Sequence, residues 1–158
     1  MTLKNGDQMP SGTFKVIGSE WMKEVSTQEL FSGKKVAFFS VPGAFTPTCS
    51  NEHLPSFLKN YDKIIAKGFD TIACMSVNDA FVMKAWGEER GVSDKILMLA
   101  DGNADYTKSL GLELDGSGFG LGIRAKRFSL VVNDGKVEQL NVDEGAYDLT
   151  SAEKTCGI

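Results

Sequence analysis

Several of the residues from which functional sites are commonly built are scarce here. The chain has one histidine, three cysteines and four prolines in 158 residues. A single histidine cannot supply a multi-histidine metal centre. Three cysteines, odd in number and irregularly spaced, argue against a disulfide-stapled scaffold and suit a reducing compartment, with the cytoplasm as the expectation, or another reducing compartment if a targeting segment is missing from the sequence. No basic block stands out and the net charge is −4, which argues against nucleic acid as a partner. No apolar run approaches the roughly eighteen residues of a membrane span, so no membrane association is expected. The opening "MTLKNGDQMPSG" lacks the apolar core of an export signal. Neither a repeat nor a low-complexity linker divides the chain, and one domain over 1–158 is expected.

What is present is alternation. "KKVAFFSV" (34–41) is a short apolar run bounded by turn residues, the pattern of a buried central strand. Leu54, Phe57, Leu58, Tyr61, Ile64 and Ile65 then recur at helical spacing, and Gly68 closes that helix. "FDTIACMSV" predicts a second strand and "NDAFVMKAWGEERG" a capped helix ending at Gly91. "KILMLAD" predicts a third strand and "NADYTKSLG" a short helix. "RFSLVV-NDG-KVEQLNV" carries the strongest hairpin signal in the chain. "TSAEKTCGI" suits a final helical turn, with Cys156 close enough to the end to be mobile. This order implies an α/β fold: a mixed central sheet, parallel in part, with helices on both faces. In such sheets functional residues gather where strands deliver the chain into helices.

Cys49 lies at such a junction. With Thr46 as N-cap and Pro47 as the first helical residue, Cys49 falls in the first turn, among free backbone N–H groups and the positive end of the helix dipole. That setting favours a thiolate, the nucleophilic form of cysteine. Pro55 removes a donor from the following turn and predicts a kink. The residue three after Cys49 is Glu52, so no C-x-x-C dithiol exists and a single nucleophilic cysteine is left.

"PGAFTPTCS" resembles the active-site signature of the peroxiredoxins, P-x-x-x-T-x-x-C, with Pro42, Thr46 and Cys49 in its three places. "FTPTCSNEHLP" is similar to the type-five subfamily, called type II in plants. The likeness continues through "CMSVNDAFVMKAWG", "GLELDGSGFGLGIRAKRFSLVVNDGKV" and "LNV". The resemblance implies a thioredoxin-like fold, reduction of hydrogen peroxide and alkyl hydroperoxides, and a homodimer. By position it makes Arg124, in "GIRAKRFS", the active-site arginine, with Arg127 as the second choice. In that reading Cys49 attacks the peroxide and Arg124 holds thiolate and peroxide with its charged fork. Thr46 orients the substrate, Pro42 shields the sulfur, and no metal or organic cofactor is required.

Other residues have plainer roles open to them. His53, one turn after Cys49, would permit a cysteine–histidine hydrolase, but no protease signature flanks the cysteine; the family carries a histidine here as support for the site. A zinc site from Cys49, His53, Cys74 and Cys156 lacks paired ligand spacing. "GSGFGLG" does not join a strand to a helix and is no dinucleotide loop; Phe119 within it is expected to line an apolar wall beside the peroxide. Cys74, in an apolar strand, reads as a core residue. Cys74 and Cys156 are the candidate resolving cysteines: plant members carry a cysteine in a setting similar to that of Cys74, "C-x-S-V-N-D", but Cys74 lies in a core strand that the first helical turn would have to unwind to reach, and the sequence around Cys156 does not match the resolving segment of animal members. An external thiol, glutathione with glutaredoxin, is therefore favoured as reductant over thioredoxin acting through an internal disulfide. A thioredoxin-like redox-sensing or interaction module without efficient turnover is the alternative function.

Overall fold

The structure, a computed structural model, describes residues 2–158. An N-terminal hairpin, β1 (Thr13–Ile17) and β2 (Met22–Ser26), leads into α1 (Thr27–Phe31). Ser26 and Glu29 form a reciprocal capping box at the start of α1. β3 (Lys35–Ser40) precedes the junction, where a π turn (Cys49–His53) runs into α2 (Leu54–Lys59) and α3 (Tyr61–Ala66). Then come β4 (Thr71–Ser76), α4 (Ala80–Glu89), β5 (Leu97–Ala100) and α5 (Asp105–Leu110). A short ribbon, β6 (Glu113–Asp115) and β7 (Ile123–Ala125), precedes the hairpin β8 (Arg127–Asn133) and β9 (Lys136–Asp143); α6 (Ala152–Cys156) closes the chain.

Seven strands form one sheet in the order β2-β1-β5-β4-β3-β8-β9. β3, β4 and β5 pair in parallel and the remaining pairs are antiparallel. The mixed sheet expected from the sequence is thus present, and the physical reason is visible in β3. Val36 and Phe38 point into one core, with α1 and α5 packed over it. Ala37, Phe39 and Val41 point into the other, with α2, α4 and α6 over it. A strand buried on both faces reads as a continuous apolar run.

Four features depart from the sequence reading. β1 and β2 have no counterpart in it, because β2 is a charged edge strand whose residues are half-buried or exposed. The β6–β7 ribbon is also new. The single helix expected after Cys49 is divided at Asn60, which leaves helical dihedrals and donates its side-chain amide to the Ser56 carbonyl. Cys156 is not mobile: it is buried in α6, against the same core as Cys49.

Candidate active site

Thr46 and Pro47 open the helix as expected, and the Ser50 N–H reaches the Thr46 carbonyl at 2.9 Å. The Thr46 hydroxyl does something other than capping. It donates to the Gly43 carbonyl at 2.6 Å, which leaves its lone pairs free to accept. The approach loop is held in shape: the Ala44 N–H donates to Asn78 Oδ1 at 3.0 Å, and Phe45 sits at φ 66°. For a bulky residue this left-handed conformation costs about 1–3 kcal/mol, so the loop around it must compensate.

Cys49 begins the π turn, two residues inside the helix, and is fully buried. Its N–H belongs to the first-turn donors that have no carbonyl one turn back. The Leu54 N–H donates to the Cys49 carbonyl, five residues back. The next residue is Pro55, which has no N–H, so the expected kink takes the form of a π turn and the Ser50 carbonyl is left over. Arg90, at the end of α4, supplies the missing donor through Nη1 at 3.1 Å. Trp86 Nε1–H donates to Ser50 Oγ at 2.9 Å. Trp86 of α4 and Arg90, its C-cap, therefore clasp the turn that carries the cysteine.

The guanidinium at the sulfur belongs to Arg127. Its Nη2 lies 3.2 Å from Cys49 Sγ and its Nη1 lies 2.9 Å from His53 Nδ1. This corrects the sequence reading, which put Arg124 first. Along β8, Phe128, Leu130 and Val132 enter the core opposite Cys49; alternation then sends Arg127, Ser129 and Val131 to the side of the cysteine. Arg124 is on the separate ribbon and donates to the Leu121 carbonyl at 3.0 Å and the Pro42 carbonyl at 3.4 Å. It sits at the rim, beside Gly43, where an added Cβ would lie 3.1 Å from its Nη1. Pro42 is half-buried on the approach loop. Phe119 is also corrected: it is 88% exposed on the turn joining β6 to β7, not packed into a wall.

His53 is fully buried between Phe39, with ring centroids 4.8 Å apart, and Tyr147, at 5.4 Å. Burial, and then the Arg127 charge, push its pKa down to about 3, so the ring is neutral. Its Nε2 lies 2.9 Å from the Thr150 carbonyl. Tyr147, Thr150, Trp86 and Arg90 were not anticipated. All lie far from Cys49 in sequence, and no local spacing ties any of them to the cysteine.

The other thiols differ from Cys49 in surroundings. Burial, followed by the proximity of Cys49, pushes the Cys74 thiol well up, against a smaller opposing effect of Arg127. Burial pushes Cys156 up to about 12, against Lys35 and Lys67.

A buried cysteine on a helix-opening turn, faced by an arginine fork and a hydroxyl with free lone pairs, is equipped to attack an electrophilic oxygen. The family model described as Redoxin matches residues 4–155. Peroxiredoxin-2E-2, chloroplastic, of Oryza sativa subsp. japonica is 46% identical over 97% of this chain and 71% of its own length. Peroxiredoxin-2C of the same organism is 47% identical over 94% of this chain and 93% of its own. The chain belongs to the peroxiredoxins. The crystal structure of reduced Prx3 in complex with H2O2 from Vibrio vulnificus is 47% identical and matches with a TM-score of 0.93, over 97% of this chain and 96% of that one. This peroxiredoxin is a thiol-dependent peroxidase with the thioredoxin-like fold.

Proposed function

We propose that Cys49 reduces hydrogen peroxide and alkyl hydroperoxides through a sulfenic acid, and that an external thiol returns it to the thiolate. The observation that carries this reading is the 3.2 Å approach of Arg127 Nη2 to Cys49 Sγ. The thiolate attacks the terminal peroxide oxygen and the O–O bond breaks. Cysteine sulfenic acid forms, and hydroxide or alkoxide leaves and takes a proton from water. Charge spreads along the S–O–O line, where fixed donors act most strongly. Arg127 serves the sulfur and the attacked oxygen, Thr46 Oγ accepts from the peroxide O–H, and Pro42 and Arg124 border the entrance. The H2O2 complex of the Vibrio vulnificus relative supports the choice of substrate.

The sulfenic acid then condenses with glutathione to a mixed disulfide, releasing water; a second thiol, through glutaredoxin, restores Cys49. Buried thiols held in the protonated form are poor nucleophiles, which disfavours Cys74 and Cys156 as resolving residues and places thioredoxin second. The chain acts as one domain and as a homodimer; Phe119, Leu121 and Ile123 are exposed apolar surface beside the site that a second copy would cover. A reducing compartment suits this chemistry, the cytoplasm or, by analogy with a relative named chloroplastic, a plastid. The test is the double variant Cys74→Ser, Cys156→Ser, assayed with each donor system. Retained glutathione–glutaredoxin turnover supports the one-cysteine cycle; collapse with every donor, together with an internal disulfide in the oxidised wild type, refutes it.

A further inference from the structure

Arg127 and Asp143 lie directly opposite one another in the pairing of β8 with β9. An arginine and a buried aspartate at one register position are natural partners, yet their charges are employed separately. Arg127 turns to Cys49 and His53. The Asp143 carboxylate is filled by four other donors. Its Oδ1 accepts the Leu149 N–H at 2.9 Å. Its Oδ2 accepts the Asp148 N–H at 3.0 Å, the Thr150 N–H at 3.1 Å and the Thr150 hydroxyl at 2.7 Å. Burial opposes the ionised form, but these donations outweigh it and hold the carboxyl below its usual range.

The folded-back segment presents one outward group of consequence, the Thr150 carbonyl, to His53. A neutral imidazole has one donor and one acceptor nitrogen. The carbonyl can only accept, so Nε2 carries the proton. Nδ1 is then a lone pair and receives Arg127 Nη1. In the other tautomer an N–H would face the guanidinium N–H and push the fork away from the sulfur.

We propose that Asp143 is a positioning residue for peroxide reduction: by gathering residues 148–150 it fixes the His53 tautomer, and through that ring the placement of Arg127 on Cys49. The proposal rests on the peroxidase reading above. The chain also contains its own control. Asp101, at the end of β5, accepts the Tyr106 N–H at 3.1 Å, the Thr107 N–H at 2.8 Å and the Thr107 hydroxyl at 2.7 Å. This is the same device, without a connection to His53.

The experiment compares Asp143→Asn with Asp101→Asn in full-length protein. His53 is the only histidine, so 15N-histidine labelling reports its tautomer without ambiguity. The wild type should show the Nε2–H form alone. In Asp143→Asn the Nδ1–H form should appear. The second-order rate of Cys49 oxidation by hydrogen peroxide should fall about tenfold, comparable to weakening one hydrogen bond to a developing charge. Reduction of the sulfenic acid by a small thiol should be unchanged. Asp101→Asn should lose thermal stability with the tautomer intact and the oxidation rate within about twofold of wild type. Should Asp143→Asn fail to fold, Thr150→Val removes one of the four bonds and is expected to shift both readouts the same way, less far. An unchanged tautomer, or a changed tautomer with an unchanged oxidation rate, overturns the proposal. A wild type that does not consume peroxide would overturn the peroxidase reading instead, and the tautomer comparison would still judge the positioning of His53.

Discussion

Arg127 Nη2 stands 3.2 Å from Cys49 Sγ, while its Nη1 stands 2.9 Å from His53 Nδ1. One planar group therefore joins the Cys49 sulfur to a fixed, neutral acceptor. A lysine ammonium keeps the charge but cannot span both partners. Arg127→Lys should slow oxidation of Cys49 by about a hundredfold, the scale of losing one donor to a developing charge. Arg124→Lys should change it by no more than about threefold, because that side chain is engaged with the Pro42 and Leu121 carbonyls and a rim contact of this kind contributes modestly. Stopped-flow peroxide reduction checks both; the reverse order would restore Arg124 to the first place.

Cys49 should be the only cysteine needed for the oxidation step. Cys49→Ser should abolish peroxide consumption, whereas Cys74→Ser and Cys156→Ser should retain the oxidation rate, since burial keeps both of those thiols protonated. Mass spectrometry after one equivalent of peroxide should find the added oxygen on Cys49. Its appearance on Cys74 or Cys156 in the folded protein would contradict the assignment.

How far the site was legible follows from the kind of signal each residue carries. Thr46 and Cys49 lie on one junction between a strand and a helix, where local position marks them, while Pro42 stands out only through the resemblance to the peroxiredoxin signature. Choosing between Arg124 and Arg127 needed the phase of a strand. "RFSLVV" alternates Phe128, Leu130 and Val132 into one core, and that pattern already contained the answer, because it sends Arg127 to the other side. Positional likeness alone points to Arg124, and alternation overrides it. Asp143 and Thr150 belong to a different category. Their roles arise from backbone N–H groups converging on one carboxylate, for which the side-chain pattern has no signature. The edge strand β2 was missed for a related reason: an exposed, charged strand has little apolar periodicity to read.

The clasp from α4 should control how often the cysteine turn opens. Arg90→Ala removes the donor that replaces the missing Pro55 N–H at the Ser50 carbonyl. A hydrogen bond from a charged group contributes roughly 1.5–3 kcal/mol, so opening of the turn should become on the order of tenfold to a hundredfold more frequent. Native-state hydrogen exchange at the Ser50 and Leu54 amides, which are bonded to the Thr46 and Cys49 carbonyls, measures this directly. Reduction of the sulfenic acid by a bulky thiol should quicken in parallel, because the buried sulfur is reached more readily. Unchanged exchange at both amides would show that Arg90 does not restrain the turn.

The last prediction concerns acid. His53 has its pKa lowered to about 3 by burial and by the Arg127 charge, against about 6.5 in an unfolded chain. Between these values the unfolded state binds a proton that the folded state refuses. Stability should therefore be complete above about pH 6.5 and fall as pH drops toward 3, with a slope of up to roughly 1.4 kcal/mol per pH unit. Ordinary carboxylates titrate mainly below about pH 4.5, so the window from 4.5 to 6.5 isolates the ring. His53→Asn keeps an acceptor toward Arg127 but cannot titrate. Urea unfolding across that window should find the wild type losing roughly 2–3 kcal/mol more than the variant. Parallel pH profiles for the two proteins would mean that His53 takes up its proton in the fold; the neutral acceptor that aligns Arg127 with the sulfur would then have to be abandoned.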